Sequence, residues 1–233
     1  MPWNKGLTKE THPSVKKISE TFKRKKINNF KKWADKMKAA GKIKSNYPDF
    51  KKDKYLAELV GVVLGDGHIG KFPRTERLII SCNSKNKGFI NRYGGIIEKI
   101  FSKKPTYMKV KNSNCVKISV YEKFVSKRLG IPSGNRAKLN FKLPKWICEN
   151  NDYLVSFLRG LYEAEGSFCV HLPTSTYKIF FSNKNTSLLN IVYASLKKLG
   201  FKPNKSRYKI QISRKKEVYE FKNLINFRNY NNL

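Results

Sequence analysis

Acidic residues are scarce: the 233-residue chain sets 16 Asp and Glu against 50 Lys and Arg, a formal net charge of +34 at pH 7. So basic a chain repels itself unless its partner is a polyanion, and nucleic acid is the expected partner. Cysteine is also scarce. Cys82, Cys115, Cys148 and Cys169 stand far apart with no C-x-x-C pair, so a disulfide framework is not expected and the four are read as reduced, small core residues. Only His12, His68 and His171 could join them, which argues against structural zinc. No apolar run approaches the roughly 20 residues that span a bilayer, and no signal-peptide pattern is read at the start, so no membrane role is expected. The length suffices for one large core or two small ones.

What the chain does have is a repeat. LAELVGVVLGDG, Leu56 to Gly67, and VSFLRGLYEAEG, Val155 to Gly166, align without a gap at an offset of 99 residues. Internal repetition of this kind decides architecture. Leu56, Leu59, Val60, Val63 and Leu64 recur at helical spacing, as do Leu154, Phe157, Leu158 and Leu161, so each copy is read as a helix with a buried stripe. A second face is small: Ala57, Gly61 and Gly65 in one copy, Ser156, Gly160 and Ala164 in the other. Helices lined this way can bring their backbones into contact, and the two copies are expected to pack on each other.

That packing would set Asp66 beside Glu165, each at the last turn of its helix before a glycine expected to make the helix exit. The position is electrostatically poor. A carboxylate at a helix C-terminus opposes the macrodipole, and two carboxylates side by side raise each other's pKa. A hard divalent cation with oxygen ligands would resolve the conflict.

VGVVLGDG and LRGLYEAEG resemble the two signature motifs of a single-chain LAGLIDADG homing endonuclease, and the resemblance covers about Tyr55 to Leu233. It implies an α+β fold of two pseudo-symmetric αββαββα units, packed through their motif helices and forming a DNA-binding saddle of antiparallel sheets. It also implies cleavage of both strands of a long, asymmetric double-stranded site, as in homing of an intron or similar mobile element. Asp66 and Glu165, with Gly65 and Ala164 before them, would hold Mg²⁺, with Ca²⁺ or Mn²⁺ substituting for binding. The metal would activate water for in-line attack on phosphorus and stabilise the departing 3′ oxygen. Relatives place a lysine near each metal site at the end of the last strand of each unit; by position these would be Lys123 and Lys216, with Lys215 a close competitor. A polar residue after the second strand assists in relatives, and Asn83 and Asn183 are the candidates. A monomer acting inside the cell, with the genome that carries the element, is the matching expectation.

Residues 1–50 are read as a separate basic arm, with breakers at Pro2, Gly6, Pro13, Gly41 and Pro48. Ile18, Phe22, Phe30, Trp33 and Met37 are spaced helically among lysines, which predicts one or two thin amphipathic helices. PWNKGLTKE followed by VKKISE is similar to the short DNA-binding modules attached to homing nucleases, with Lys5, Lys23 and Arg24 as candidate contacts. Residues 51–142 and 143–233 are read as the two units, the second entered through LPKW.

In the first unit strands are expected at 68–72, 77–82, 106–110 and 115–121, with helices at 86–101 and 122–129. In the second, strands are expected at 167–172, 177–182 and 207–213 with a very short third strand, and helices at 186–199 and 217–226. Alternation sets Tyr208, Ile210 and Ile212 against Arg207, Lys209, Gln211 and Ser213, and Val116, Ile118 and Val120 against Lys117, Ser119 and Tyr121. One face packs on helices. The other, with Arg77, Lys109 and Lys178 from neighbouring strands, could meet base edges in the major groove.

Two other functions fit the same fold: an RNA maturase assisting its host intron, and a non-catalytic DNA-binding regulator. Retention of both acids favours the nuclease. An intein is less expected, since the chain begins Met1-Pro2 and ends Asn231-Asn232-Leu233 without flanking splicing residues.

Overall fold

The lysine-rich start forms two short helices in the first of two units into which the chain divides, Met1–Pro48 and Asp49–Leu233. The computed structural model describes residues 3–135 and 139–230. Helix α1 (Pro13–Arg24) has proline in its first turn and Lys23 and Arg24 in its last, which suits the macrodipole. Helix α2 (Asn29–Ala39) is capped by the Asn28 side chain, which accepts the Lys31 N–H at 2.8 Å. Ile18, Phe22, Phe30 and Trp33 remain exposed within this unit.

The second unit opens with α3 (Lys54–Gly65), capped by Asp53. A hairpin of β1 (Gly67–Phe72) and β2 (Thr75–Asn83) follows, then α4 (Lys87–Phe101), β3 (Thr106–Lys109), β4 (Cys115–Glu122) and α5 (Val125–Leu129). After the short α6 (Lys145–Cys148) the plan recurs as α7 (Asn151–Glu165), β5 (Gly166–His171), β6 (Thr176–Ser182), α8 (Thr186–Lys198), β7 (Asn204–Ser206), β8 (Lys209–Ile212) and α9 (Lys215–Leu224). The αββαββα unit therefore occurs twice, as two antiparallel sheets ordered β1-β2-β4-β3 and β5-β6-β8-β7. Asn86 caps α4 and Asn185 caps α8, so the repeat extends to the capping chemistry.

The two motif helices meet through their glycines, and the contact has pseudo-two-fold symmetry. A Cβ on Gly61 would stand 2.2 Å from the Phe157 carbonyl oxygen and 3.0 Å from the Leu161 nitrogen. One on Gly160 would stand 2.1 Å from the Glu58 carbonyl oxygen and 2.7 Å from the Val62 nitrogen, the equivalent atoms of the other copy. Backbone thus lies on backbone, as the small face requires. The leucine and valine stripes are buried, and one core cluster runs from Phe50 through both αββαββα repeats to Phe227.

Charges buried in this core escape any reading of the apolar pattern. Glu58 of α3 takes Arg92 of α4 at 2.6 Å through both of its oxygens, with Arg159 of α7 at 3.4 Å. Glu163 accepts the Arg228 N–H at 2.6 Å and the Tyr230 hydroxyl at 2.5 Å. Tyr230 in turn lies where a Cβ on Gly88 would be, tying the last described residues of the second repeat to α4 of the first.

Several sequence expectations need correction. Gly166 is the C-cap of α7 and Gly67 follows the C-cap Asp66 of α3, so both stand at the helix exits as expected, but neither has a positive φ. They start strands, and glycine is required because a Cβ would stand 2.5 Å from Val63 Cα in one case and 2.4 Å from the Tyr162 carbonyl oxygen in the other. The helix expected at 122–129 starts only at Val125, because Phe124 adopts a left-handed φ of 58°. Tyr208 sits with Arg207 in the turn before β8 and is exposed, not buried beside Ile210. The four cysteines are free, but none is buried. Among the described residues no helix is long and apolar enough to cross a membrane.

Candidate active site

Helices α3 and α7 end side by side. A Cβ on Gly65 would stand 2.4 Å from Ala164 Cβ and 3.6 Å from Glu165 Cγ, so Asp66 and Glu165 leave the seam at adjoining points. Asp66 is open to solvent. Its carboxyl is nevertheless pushed up to about 6, first by desolvation against the surrounding protein and then by the charge of Glu165. The clash of like charges read from the sequence is therefore present.

Among the described residues Glu165 has a side-chain hydrogen-bond partner and Asp66 has none. Asn183, just past β6, donates from Nδ2 to Glu165 Oε2 at 2.6 Å. Its counterpart follows from strand register. Gly67 pairs with Ile80, and Gly166 with Phe181, because the second hairpin loop is two residues longer. The residue matching Asn183 is therefore Cys82, not Asn83. Asn83 turns away and accepts the Lys85 N–H. The Cys82 thiol donates to the Val116 carbonyl at 3.7 Å and is pushed up to about 11 by burial, then by Cys115 and Asp66. One acid is thus oriented by an amide and the other faces a neutral thiol.

The same register removes both lysines from the acids. Cys82 pairs with Val116, and Lys123 follows seven residues later at the far end of β4, about 23 Å along the strand. Lys216 lies in α9, exposed and 3.8 Å from Glu220. Lys215, the residue matching Lys123 by pairing, stacks over Tyr177 at 4.9 Å, also far from Asn183 along β6.

A cavity of about 310 Å³ lies against Glu165, lined also by Asn183, His68 and Asn185, and by Gly134, Asn135 and Leu139 of the connection between the repeats. This connection is pinned there: the Gly134 N–H reaches the Ile69 carbonyl at 3.1 Å, and Asn185 Nδ2 reaches that of Leu139 at 2.8 Å. His68, close after Asp66 in sequence, lines this cavity; Cys82 and the connection are site residues that sequence reasoning passed over. Pairing in the long-range sheet brings them in, and no local pattern marks them.

Within the second unit each sheet has one face that the described helices of that unit leave uncovered. In the first sheet, Arg77, Lys117 and Ser119 share that face; in the second sheet, Lys178, Lys209 and Gln211 do, with Ser213 and Arg207 at the strand ends. Two candidates fail here. Lys109 pairs with Val116 and falls on the helix side, the side on which Tyr107 packs against Gly94. Ser119 is buried and serves Arg77, accepting from Nη2 at 3.1 Å. Lys5, Lys23 and Arg24 are exposed in the first unit.

Residues 152–231 match the LAGLIDADG-like domain family. The chain has the two-unit LAGLIDADG fold. Variants of the homing endonuclease I-DmoI superimpose with a TM-score of 0.50 at 20% identity, over 74% of this chain and 94% of theirs. Full-length DUF199/WhiA from Thermatoga maritima does so with a TM-score of 0.53 at 21% identity, over 78% of this chain and 58% of that one. These likenesses establish the LAGLIDADG fold. Two curated proteins of Methanocaldococcus jannaschii share sequence with it: the replication factor C small subunit, 30% identical over 154 residues, and glutamine–fructose-6-phosphate aminotransferase, 26% identical over 182. The matches take up 61% and 74% of this chain but only 8% and 16% of those proteins.

Proposed function

We propose that this protein is a site-specific endonuclease that cuts both strands of a long double-stranded DNA target with divalent metal. The observation that carries the reading is the pair Asp66 and Glu165, one acid from each unit, at adjoining helix ends between two basic sheet faces. Neighbours of the same fold support it, since I-DmoI has been solved in complex with DNA and Mn, and as a variant with its target DNA in the presence of Mg. A role in a mobile element is supported by the two curated relatives: one segment shared by proteins of unrelated named activity behaves as an inserted module.

The donor set fits a hard cation. Both helices end in carbonyls without intrahelical partners, beside two carboxylates. Among the described residues no group of three or more His, Cys, Asp and Glu side chains assembles, so water and DNA phosphate would complete the ligand shell. Asp66, Glu165 and the carbonyls of Gly65 and Ala164 would hold Mg²⁺, which when bound supplies charge neutralisation and a more acidic water. Asn183 fixes the orientation of Glu165, and the sheets hold the DNA.

Because Asn183 acts on one side only, the two strands should be cut at unequal rates. Asn183→Ala is expected to slow one strand about 10- to 100-fold, the usual effect of removing a ligand's hydrogen-bond partner. Single-turnover cleavage of end-labelled DNA reads each strand separately, and equal slowing of both would show one shared site.

The raised carboxyl of Asp66 also gives a pH dependence. The folded protein keeps this proton to a higher pH than the unfolded chain, so the charged group costs stability as pH rises from about 4, fully above about 6. Solvent reaches the group, which holds the cost below ~1 kcal/mol. Asp66→Asn should raise the thermal midpoint slightly at about pH 7.5 and leave it unchanged near pH 3. Mg²⁺ should stabilise the wild type above about pH 6 and lose its effect below.

If residues 1–50 lie along phosphates, deleting them should flatten the salt dependence of DNA binding by about one logarithmic unit per lost contact. The preferred bases should stay the same. An unchanged slope would return the arm to a solvated tail.

The second reading is a DNA-binding protein that does not cut, favoured by the likeness to DUF199/WhiA. Selection from a random double-stranded pool separates the two. With Ca²⁺ either reading yields an enriched bound site, whereas with Mg²⁺ only the nuclease releases that site as cut ends.

A further inference from the structure

Among the described basic side chains on the helix-free sheet faces, Arg77 is held by a side-chain hydrogen bond as well as a ring, whereas Lys209 and Arg207 have a ring alone. Arg77 Nη2 donates to buried Ser119 Oγ at 3.1 Å, and its guanidinium lies 5.2 Å from the centroid of the Tyr121 ring, which is itself braced by Phe72 at 5.9 Å. On the other side its strand neighbour is Gly70, which has no side chain to cover it. Among the described residues Nη1 meets no acceptor, and Nε is buried without one. A planar fork immobilised by a hydrogen bond and a ring, with its outer edge unspent, suits one ligand above others. It matches the paired acceptors O6 and N7 that guanine shows in the major groove.

We propose that Arg77 reads a guanine at a fixed place in one half of the target, an inference that rests on the DNA reading above. The register gives the place. Arg77 lies five residues along β2 from Cys82, the residue beside Asp66, about 17 Å at strand rise. At about 3.4 Å per base pair, the guanine falls about five base pairs from the centre of the site, where the acids would lie. The other half lacks this device. Lys178 takes the equivalent position, and Gln211, which replaces Ser119 by pairing, donates to Ser213 at 2.7 Å instead of holding it. Discrimination at the matching base pair there should be weaker.

The test is selection of bound sequences from a random double-stranded pool with Ca²⁺, using the full chain and its Arg77→Gln and Ser119→Ala variants. The wild type should enrich guanine about five base pairs from the centre on one side, by about ten- to a hundredfold over other bases. Arg77→Gln should shift that one position towards adenine and leave the rest of the site intact. Ser119→Ala should weaken the guanine preference without replacing it. A site enriched without guanine there, or unchanged by Arg77→Gln, overturns this assignment alone. Uniform loss across the whole site in Arg77→Gln overturns it too, by making the arginine a structural strut. A pool in which no sequence is enriched overturns the DNA reading together with it.

Discussion

Alanine at Gly160 is expected to unfold most of the protein at 37 °C. Its Cβ would stand 2.1 Å from the Glu58 carbonyl oxygen and 2.7 Å from the Val62 nitrogen, and both are backbone atoms of a buried helix. Side chains can rotate out of such a clash; a helix backbone cannot. Helices α3 and α7 would have to part along their length, opening the leucine and valine stripes and stretching the Glu58–Arg92–Arg159 contact. Ordinary overpacking costs about 1–3 kcal/mol, and a backbone clash that also disturbs a buried ion pair should exceed about 4 kcal/mol. That is a large share of a typical stability of about 5–15 kcal/mol. Gly61→Ala should behave alike, since its Cβ meets Phe157 and Leu161 backbone in the equivalent way. Thermal and urea unfolding measure both, and a midpoint within a few degrees of wild type would show that the helices do not meet through these glycines.

Much of this arrangement was legible before any coordinates. The motif helices follow from residues at helical spacing, and their seam follows from small residues on one face, both properties of a single short segment. The caps at Asn86 and Asn185 repeat at the same offset for the same local reason. The site was less legible because sheet register is set by loop length, which shifts every partner downstream. Two extra residues in the β5–β6 loop make Cys82 the counterpart of Asn183. Antiparallel pairing carries Lys123 away from Asp66, although it lies near a strand end in sequence. Lys109 was misplaced because all of β3 is exposed, so no burial pattern distinguishes its two faces. The buried charges of Glu58, Arg92, Arg159 and Glu163 could not be read because each finds its partner on a distant segment.

Removal of both carboxylates should abolish cutting and spare binding. Asp66 and Glu165 sit at the helix ends and contribute to neither sheet face, so Asp66→Asn with Glu165→Gln keeps shape and hydrogen-bonding size while taking away the charge that would hold metal. Loss of metal-assisted stabilisation worth several kcal/mol corresponds to about a thousandfold or more in rate. The folded state should not suffer, because the substitution also removes a carboxyl that is pushed up to about 6, first by desolvation and then by the charge of Glu165. The decisive measurement is therefore single-turnover cleavage of the selected DNA site in Mg²⁺ by wild type and double variant, with affinity for the same site measured in parallel in Ca²⁺. The expected result is cutting of both strands by the wild type, none by the variant, and site affinity for the two within about tenfold. Cutting by the variant at the wild-type rate, or a wild type that binds the site and leaves both strands whole, would contradict a centre built from one acid of each unit.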